Sequence, residues 1–437
     1  MRILLLHPNF PAQFRHLATA LAQDPHHEVV FATARRDRQL PGVQKLIYPP
    51  IEALKQPPYP GLGTVTKAVA TGERVYVMVD QLKRQGFVPD VVLGHSGWGP
   101  TLFLKDLFPK AELICYMEWF YRAHGSDFDF VPGQTRTYQK EATLRLKNVP
   151  FLVDLYSCDR ALTPTHWQHQ QFPPEFQPKI TVRHDGIDTR FFCPNPKASR
   201  IWPNLKLDLT HAGEIVTYVA RGMEPYRGFP QFMEAVSQLQ QRRSQCHVIV
   251  VGSDRVAYGT PRTDGKTYRQ AMLEQFEFDR DRLHFTGHLD YAAYLRVLQA
   301  STVHVYLTYP FVLSWSMLEA MATGCALVAS RTPPVQEVID HGINGLLVDF
   351  FDVAVLVDQI AFLLDHPTER QHLGQTARQT VVDHYDLATL LPQTIAWLAD
   401  SAHSRSAHSR SAHSRSSVNW PQMGQISGDR PDQWELF

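Results

Sequence analysis

Cysteine is scarce in this chain. There are five in 437 residues (Cys115, Cys158, Cys193, Cys246 and Cys325), and no two have the spacing of metal ligands. That excludes a disulfide scaffold or a zinc framework and fits a reducing, cytoplasmic setting. Net charge is missing as well. Lys plus Arg is 43 and Asp plus Glu is 43, so no overall field draws the chain to nucleic acid or anionic lipid, and any basic site must be local. The amino end offers only Ile3 to Leu6 as an apolar run before His7 and Pro8, too short for a signal peptide. One window, Ala300 to Leu318, has no Asp, Glu, Lys or Arg. Its serines and threonines, with Pro310 in the middle, make it a buried strand, a loop and a helix start rather than a membrane span. No Gly-x-Gly-x-x-Gly follows the first strand of either half, which argues against a dehydrogenase.

What the chain does have is a twice-repeated α/β pattern. Short apolar runs such as Ile3–Leu6, Val29–Ala32, Val91–Leu93, Val216–Ala220, Val248–Val251 and Val303–Leu307 alternate with longer amphipathic stretches. Continuous runs of this length mark strands buried on both faces, and their alternation with helices implies parallel sheets. Helical spacing appears in Phe14, Leu17, Ala18 and Leu21, and again in Phe232, Ala235, Val236 and Leu239. The pattern starts at Arg2 and restarts near Ile215, with a proline-rich stretch, Phe191 to Asp208, between. The expected organisation is therefore two doubly wound, Rossmann-like domains at 1–190 and 205–385, a last helix at 386–400, and a tail at 401–437. Three copies of Ser-Ala-His-Ser-Arg open that tail. Their five-residue period fits neither helix nor strand and holds almost nothing to bury, so the tail is expected to be disordered.

The second domain carries most of the chemical signal. The apolar run 216–220 delivers Arg221 to the end of a strand, where open α/β sheets bind ligands, and Arg227-Gly228 follows in the next loop. Two guanidiniums at one sheet mouth suit a diphosphate; otherwise they are solvated surface arginines. Further on, Tyr309-Pro310-Phe311-Val312-Leu313-Ser314-Trp315-Ser316-Met317-Leu318-Glu319 runs from a strand through a loop into a helix beginning near Ser316. A helix start attracts anions, and a carboxylate one turn in accepts from vicinal hydroxyls such as those of ribose. The alternative is a capping box formed by Ser316 and Glu319.

Taken together, Arg221…Arg227-Gly228, Phe285-Thr286-Gly287-His288-Leu289, Leu318 to Gly324, Val335 to Ile339 and Asn344 to Val348 resemble the C-terminal domain of the family 4 glycosyltransferases of GT-B fold. His184-Asp185-Gly186-Ile187-Asp188 resembles the stretch where that family crosses between domains. The resemblance implies two Rossmann-like domains facing each other across a cleft, and retaining transfer from a nucleotide-diphosphate sugar with no metal and no cofactor. It implies Arg221 and Arg227 on the diphosphate and Glu319 on the ribose. Gly287, His288 and Leu289 would lie by the base, and Leu313, Ser314, Trp315 and Ser316 would line the donor site. The family's Glu-x7-Glu motif places its first glutamate at Phe311, a departure that bears on the donor sugar and on activity itself.

The first domain matches only in outline. Phe10 lies in the loop after the first strand, where the family usually has glycines. His95, in His-Ser-Gly-Trp-Gly, and Glu118, among aromatics, follow later strands and suit contact with an acceptor or the transferred sugar. The plainer readings are a loop histidine with a local hydrogen bond and an aromatic core edge. Arg221, Arg227, Glu319 and His95 are thus the candidate catalytic residues, and Phe10, His95, Glu118 and Phe311 the candidate acceptor or sugar contacts. The expected partners are a nucleotide sugar and an acceptor saccharide, lipid or small molecule, with no nucleic acid. The rival functions are a GT-B epimerase or hydrolase and a nucleotide-sugar-binding pseudoenzyme.

Overall fold

The computed structural model describes residues 1–51 and 57–406. The chain forms two units, each built on one parallel sheet. Of the described residues, the first contains Met1–Asp185 and those from Ala388 on, and the second contains Gly186–Leu387.

In the first unit, seven strands lie in the order β3-β2-β1-β4-β5-β6-β7. They are β1 (Arg2–Leu6), β2 (Glu28–Thr33), β3 (Val43–Ile47), β4 (Val91–His95), β5 (Glu112–Tyr116), β6 (Arg160–Thr163) and β7 (Ile180–Val182). Every neighbouring pair is parallel. β1, β4 and β5 are buried almost throughout, as continuous apolar runs between two helical layers require. Leu17, Ala18 and Leu21 of the helix Arg15–Gln23 face the sheet, while Phe14 ends the 3-10 turn before it.

The second unit opens with a short antiparallel ribbon, β8 (Ile201–Trp202) and β9 (Leu207–Asp208). Its main sheet has the order β12-β11-β10-β13-β14-β15, from β10 (Glu214–Gly222), β11 (Cys246–Ser253), β12 (Leu283–Gly287), β13 (Val303–Tyr306), β14 (Leu327–Ser330) and β15 (Leu346–Val348). The helix Phe229–Arg242 buries Phe232, Ala235, Val236 and Leu239 as their spacing predicts. The stretch 191–208, expected as a linker, instead puts Phe192 and Trp202 into this unit's core. Its prolines break periodicity without preventing burial. The chain passes between units at 185/186 and returns at 387/388. Near the two passages Ile187 N–H donates to Tyr385 and Leu387 N–H donates to Ile187.

The window from Ala300 to Leu318 is a strand, a loop and a helix start, and among the described residues no helix is long and apolar enough to cross a membrane. The last helix, Leu387–Ser406, runs beyond its expected end at 400 into the first Ser-Ala-His-Ser-Arg copy. The rest of the tail, expected to be disordered, lies outside the described residues.

Candidate active site

A doubly wound sheet leaves a crevice where successive connections leave its first strand in opposite directions, at the carboxyl ends of the strands. In the second unit that point lies between β10 and β13, and in the first between β1 and β4.

At the second unit's switch point, Arg221 is exposed at the end of β10 and makes no polar contact with the described residues. Arg227 is no surface arginine: it is only 5% exposed. Its Nη1 donates to the Tyr306 hydroxyl (3.1 Å), to Thr308 Oγ1 (2.7 Å) and to the Val312 carbonyl (3.0 Å), and its guanidinium lies over the Tyr258 ring (5.2 Å). One side chain thus ties the loop after β10 to the loop after β13. Gly228 makes this possible. Its φ is +64°, and a Cβ there would come within 2.4 Å of Leu307 Cβ.

The helix after β13 is Trp315–Ala322, with Ser314 as its N-cap accepting from Ser316 N–H (3.3 Å). Glu319 is therefore too deep in the helix to form a capping box with Ser316, and that alternative falls. The Glu319 carboxylate is buried and accepts from the Tyr294 hydroxyl (2.9 Å). Leu313 and Leu289 are in the core cluster and Trp315 packs against it, while His288 is exposed beyond Gly287 at the end of β12. Phe311, 9% exposed, sets its ring edge-on to Tyr226 and Tyr258, both at 5.4 Å between centroids. It faces an aromatic cluster, not open solvent.

In the first unit, His95 ends β4 and is 2% exposed. Its Nδ1 lies 2.9 Å from the Ser96 carbonyl, which can only accept, so Nδ1 carries the proton. The local hydrogen bond of the plainer reading is present. So is a second feature: Nε2 lies 3.6 Å from Glu118 Oε2. Gln13 Nε2 holds the other Glu118 oxygen (2.9 Å). His7, just after β1, sets its ring against His95 at 4.6 Å between centroids, and Tyr116 stacks on His95 at 5.3 Å. The Tyr116 hydroxyl donates to both Asp185 oxygens (3.0 and 3.1 Å), and burial pushes that phenol well above its ordinary value. Phe10 is 2% exposed, edge-on to Phe31 and beneath Lys45 Nζ (4.6 Å), so its ring serves the core.

Sequence reasoning missed several of these groups. His7, immediately after an apolar strand, and Glu224, between the two arginines, were visible by position, and Asp185 sat in the crossing motif His184–Asp188 with no role assigned to it; Tyr258 carried no such signal. Two Asp-x-Asp tripeptides, Asp127-Phe128-Asp129 and Asp279-Arg280-Asp281, were also overlooked. Asp129 accepts from the Gly125 and Ser126 amides and Asp279 pairs with Arg282. Among the described residues no group of three or more His, Cys, Asp or Glu side chains is placed to hold a metal ion.

Two family models match in order: "Glycosyl transferase family 4 group" over residues 25–192 and "Glycosyl transferases group 1" over residues 206–380. A D-inositol 3-phosphate glycosyltransferase of Corynebacterium efficiens is 27% identical over 201 residues, 46% of this chain and 46% of that protein. The chain thus spans about half the length of that curated relative. Among solved structures, a sucrose-phosphate synthase from Thermosynechococcus elongatus superposes with a TM-score of 0.71 at 18% identity, covering 92% of this chain and 100% of that one. Anabaena HepE in complex with UDP superposes with a TM-score of 0.65 at 15% identity, covering 91% of this chain and 100% of that one; its complex with UDP-glucose gives 0.61. At these identities the structures establish a shared fold.

Proposed function

Because the chain belongs to the family 4 glycosyltransferases of GT-B fold, we propose that it moves a sugar from a nucleoside-diphosphate donor to an acceptor hydroxyl with retention of anomeric configuration. The observation that carries the reading is the tie at the second unit's switch point. A buried Arg227 has Nη1 committed to three protein acceptors and a further side-chain hydrogen bond to Tyr258, and an exposed Arg221 stands nearby in the chain and makes no polar contact with the described residues. Two guanidiniums meet the charge that grows on a departing diphosphate without help from a cation. Transfer is therefore proposed to need neither metal nor cofactor, and chelators should leave it intact. Tyr294 orients the Glu319 carboxylate for the ribose hydroxyls. The complexes of Anabaena HepE make UDP and UDP-glucose the first ligands to try.

In the proposed reaction the acceptor oxygen bonds to the anomeric carbon on the face the diphosphate leaves. The bond from that carbon to the phosphate oxygen breaks, and the acceptor proton passes to the departing oxygen. His95, with Glu118 beside it, offers a hydrogen-bonding pair for sugar hydroxyls. A cytoplasmic location is proposed on the five free cysteines, which suit a reducing compartment.

The test combines titration with product analysis. Arg221→Ala should weaken nucleoside diphosphate binding by about ten- to a hundredfold, the loss of one charge-assisted contact at roughly 1.5–3 kcal/mol. It should leave the melting temperature unchanged, since the exposed Arg221 side chain makes no polar contact with the described residues. Equal affinity in parent and variant would remove the donor site from this sheet end. An inverted product by NMR would remove the retaining mechanism.

A further inference from the structure

The loop between β11 and the helix Tyr268–Gln275 is long, and a buried carboxylate holds it. Glu224 is 0% exposed. Its two oxygens accept from three successive amides of that loop: Ala257 N–H (2.9 Å), Tyr258 N–H (3.0 and 3.1 Å) and Gly259 N–H (2.7 Å). A carboxylate surrounded by backbone donors is well satisfied and leaves the loop one geometry. Position 259 suits the clamp, because a Cβ there would stand 3.1 Å from Glu224 Oε2.

The clamp delivers Tyr258 to a particular place. Its ring has the Arg227 guanidinium at 5.2 Å and the Phe311 ring at 5.4 Å, with an interplanar angle of 63°. It therefore joins the cation assigned to the diphosphate with the position where the family's sugar-binding glutamate is replaced. Unlike those neighbours, Tyr258 stays 38% exposed. Around it, Tyr226 stacks on Tyr309 at 4.8 Å and meets Phe311 edge-on. Where a carboxylate would take sugar hydroxyls, this chain presents an aromatic wall, and aromatic rings bind the C–H faces of sugars.

Resting on the donor-site reading of Arg227, we infer that Tyr258 is a specificity-determining residue that contacts the transferred sugar, and that Glu224 is its positioning residue. The ring replaces, by contact with C–H groups, the grip that Phe311 cannot supply by hydrogen bonding. A donor sugar with a continuous apolar face should be preferred over one whose recognition needs a carboxylate at that edge.

The experiment compares UDP with UDP-glucose, and GDP with GDP-mannose, by calorimetric titration of the full chain. Parent protein that binds no nucleoside diphosphate would overturn the donor site itself, a different failure from that of the present inference. Given binding, Tyr258→Ala should lower nucleotide-sugar affinity at least tenfold more than it lowers nucleoside diphosphate affinity. Tyr258→Phe should keep the parent's ratio of the two affinities within threefold, because the ring is kept. Glu224→Gln should reproduce the selective loss of Tyr258→Ala, and adding it to Tyr258→Ala should bring no further selective loss, since both act through one contact. Equal losses for diphosphate and sugar nucleotide, or no loss for either, would overturn the role of Tyr258. A normal sugar-to-diphosphate affinity ratio in Glu224→Gln would overturn that of Glu224.

Discussion

Replacing Asp154 with asparagine should remove a defined part of the pH dependence of stability. Asp154 is 0% exposed and accepts from Ser96 Oγ (2.6 Å) and Thr101 Oγ1 (2.7 Å). Burial raises its pKa from 3.8 to about 6, against the opposing pull of the two hydroxyls. A folded-state value above the unfolded one means the folded chain holds the proton more tightly. The resulting stabilisation is complete below the unfolded value and is lost as pH rises through the folded one, so the window is about pH 4 to 6. Moving a carboxyl from 3.8 to about 6 corresponds to about 3 kcal/mol at 1.36 kcal/mol per pH unit. Asparagine keeps the shape and an acceptor oxygen but does not titrate. Urea unfolding of parent and Asp154→Asn, followed at matched pH values, should therefore give a stability difference that moves by about 3 kcal/mol in favour of asparagine between pH 3 and pH 7. Its absolute value at either end is not the prediction; the change across the window is. A difference that stays flat, or that favours asparagine more as pH falls, would refute the reasoning.

Two further outcomes concern the supports of the site. Arg227→Ala should lower stability by about 2–4 kcal/mol, because Tyr306, Thr308 and the Val312 carbonyl lose a shared buried donor, and Arg227→Lys should restore only part of it, because an ammonium lacks the planar fork; thermal melts decide both, and an unchanged melting temperature in Arg227→Ala would mean the tie is not structural. Trp397→Ala should cost about 1–2 kcal/mol, since the Arg160 guanidinium stacks over that ring at 3.9 Å; hydrogen exchange along β6 should rise with it, and unaltered exchange would detach the C-terminal helix from the first unit's stability.

The parts of this fold that were legible in the sequence are those set by local periodicity. Ile3–Leu6 and Val248–Val251 are uninterrupted apolar runs because both faces of their strands are covered, and the register of Phe232, Ala235, Val236 and Leu239 reports the helix face directly. Arg221 at the end of such a run was legible for the same reason, since strand direction alone puts it at the carboxyl edge. The stretch 191–208 misled because proline frequency says where regular structure stops, not whether apolar side chains such as Phe192 and Trp202 are buried. The capping box misled because Ser314 and Ser316 are both good caps, and only the backbone path decides that Ser314 holds the helix end. Asp154 was invisible in principle: its partners Ser96 and Thr101 lie far away in the chain and meet it through the sheet.

Phe311 shows how a departure from a family pattern changes meaning once its neighbours are known. Read alone, a phenylalanine in place of a sugar-binding glutamate is a loss. In the folded chain it is one member of a set with Tyr226, Tyr258 and Tyr309. Glu224 gives up its solvation to fix a loop whose tip reaches Phe311, and Arg227 sits beneath the same tip. A decaying site would be expected to lose such buried charges first, because each destabilises the fold unless it is fully paired. Here Glu224 is paired with three backbone amides and Arg227 with three protein acceptors. Under the proposed donor-site assignment, the arrangement is a pocket rebuilt around aromatic contact, with the diphosphate end kept.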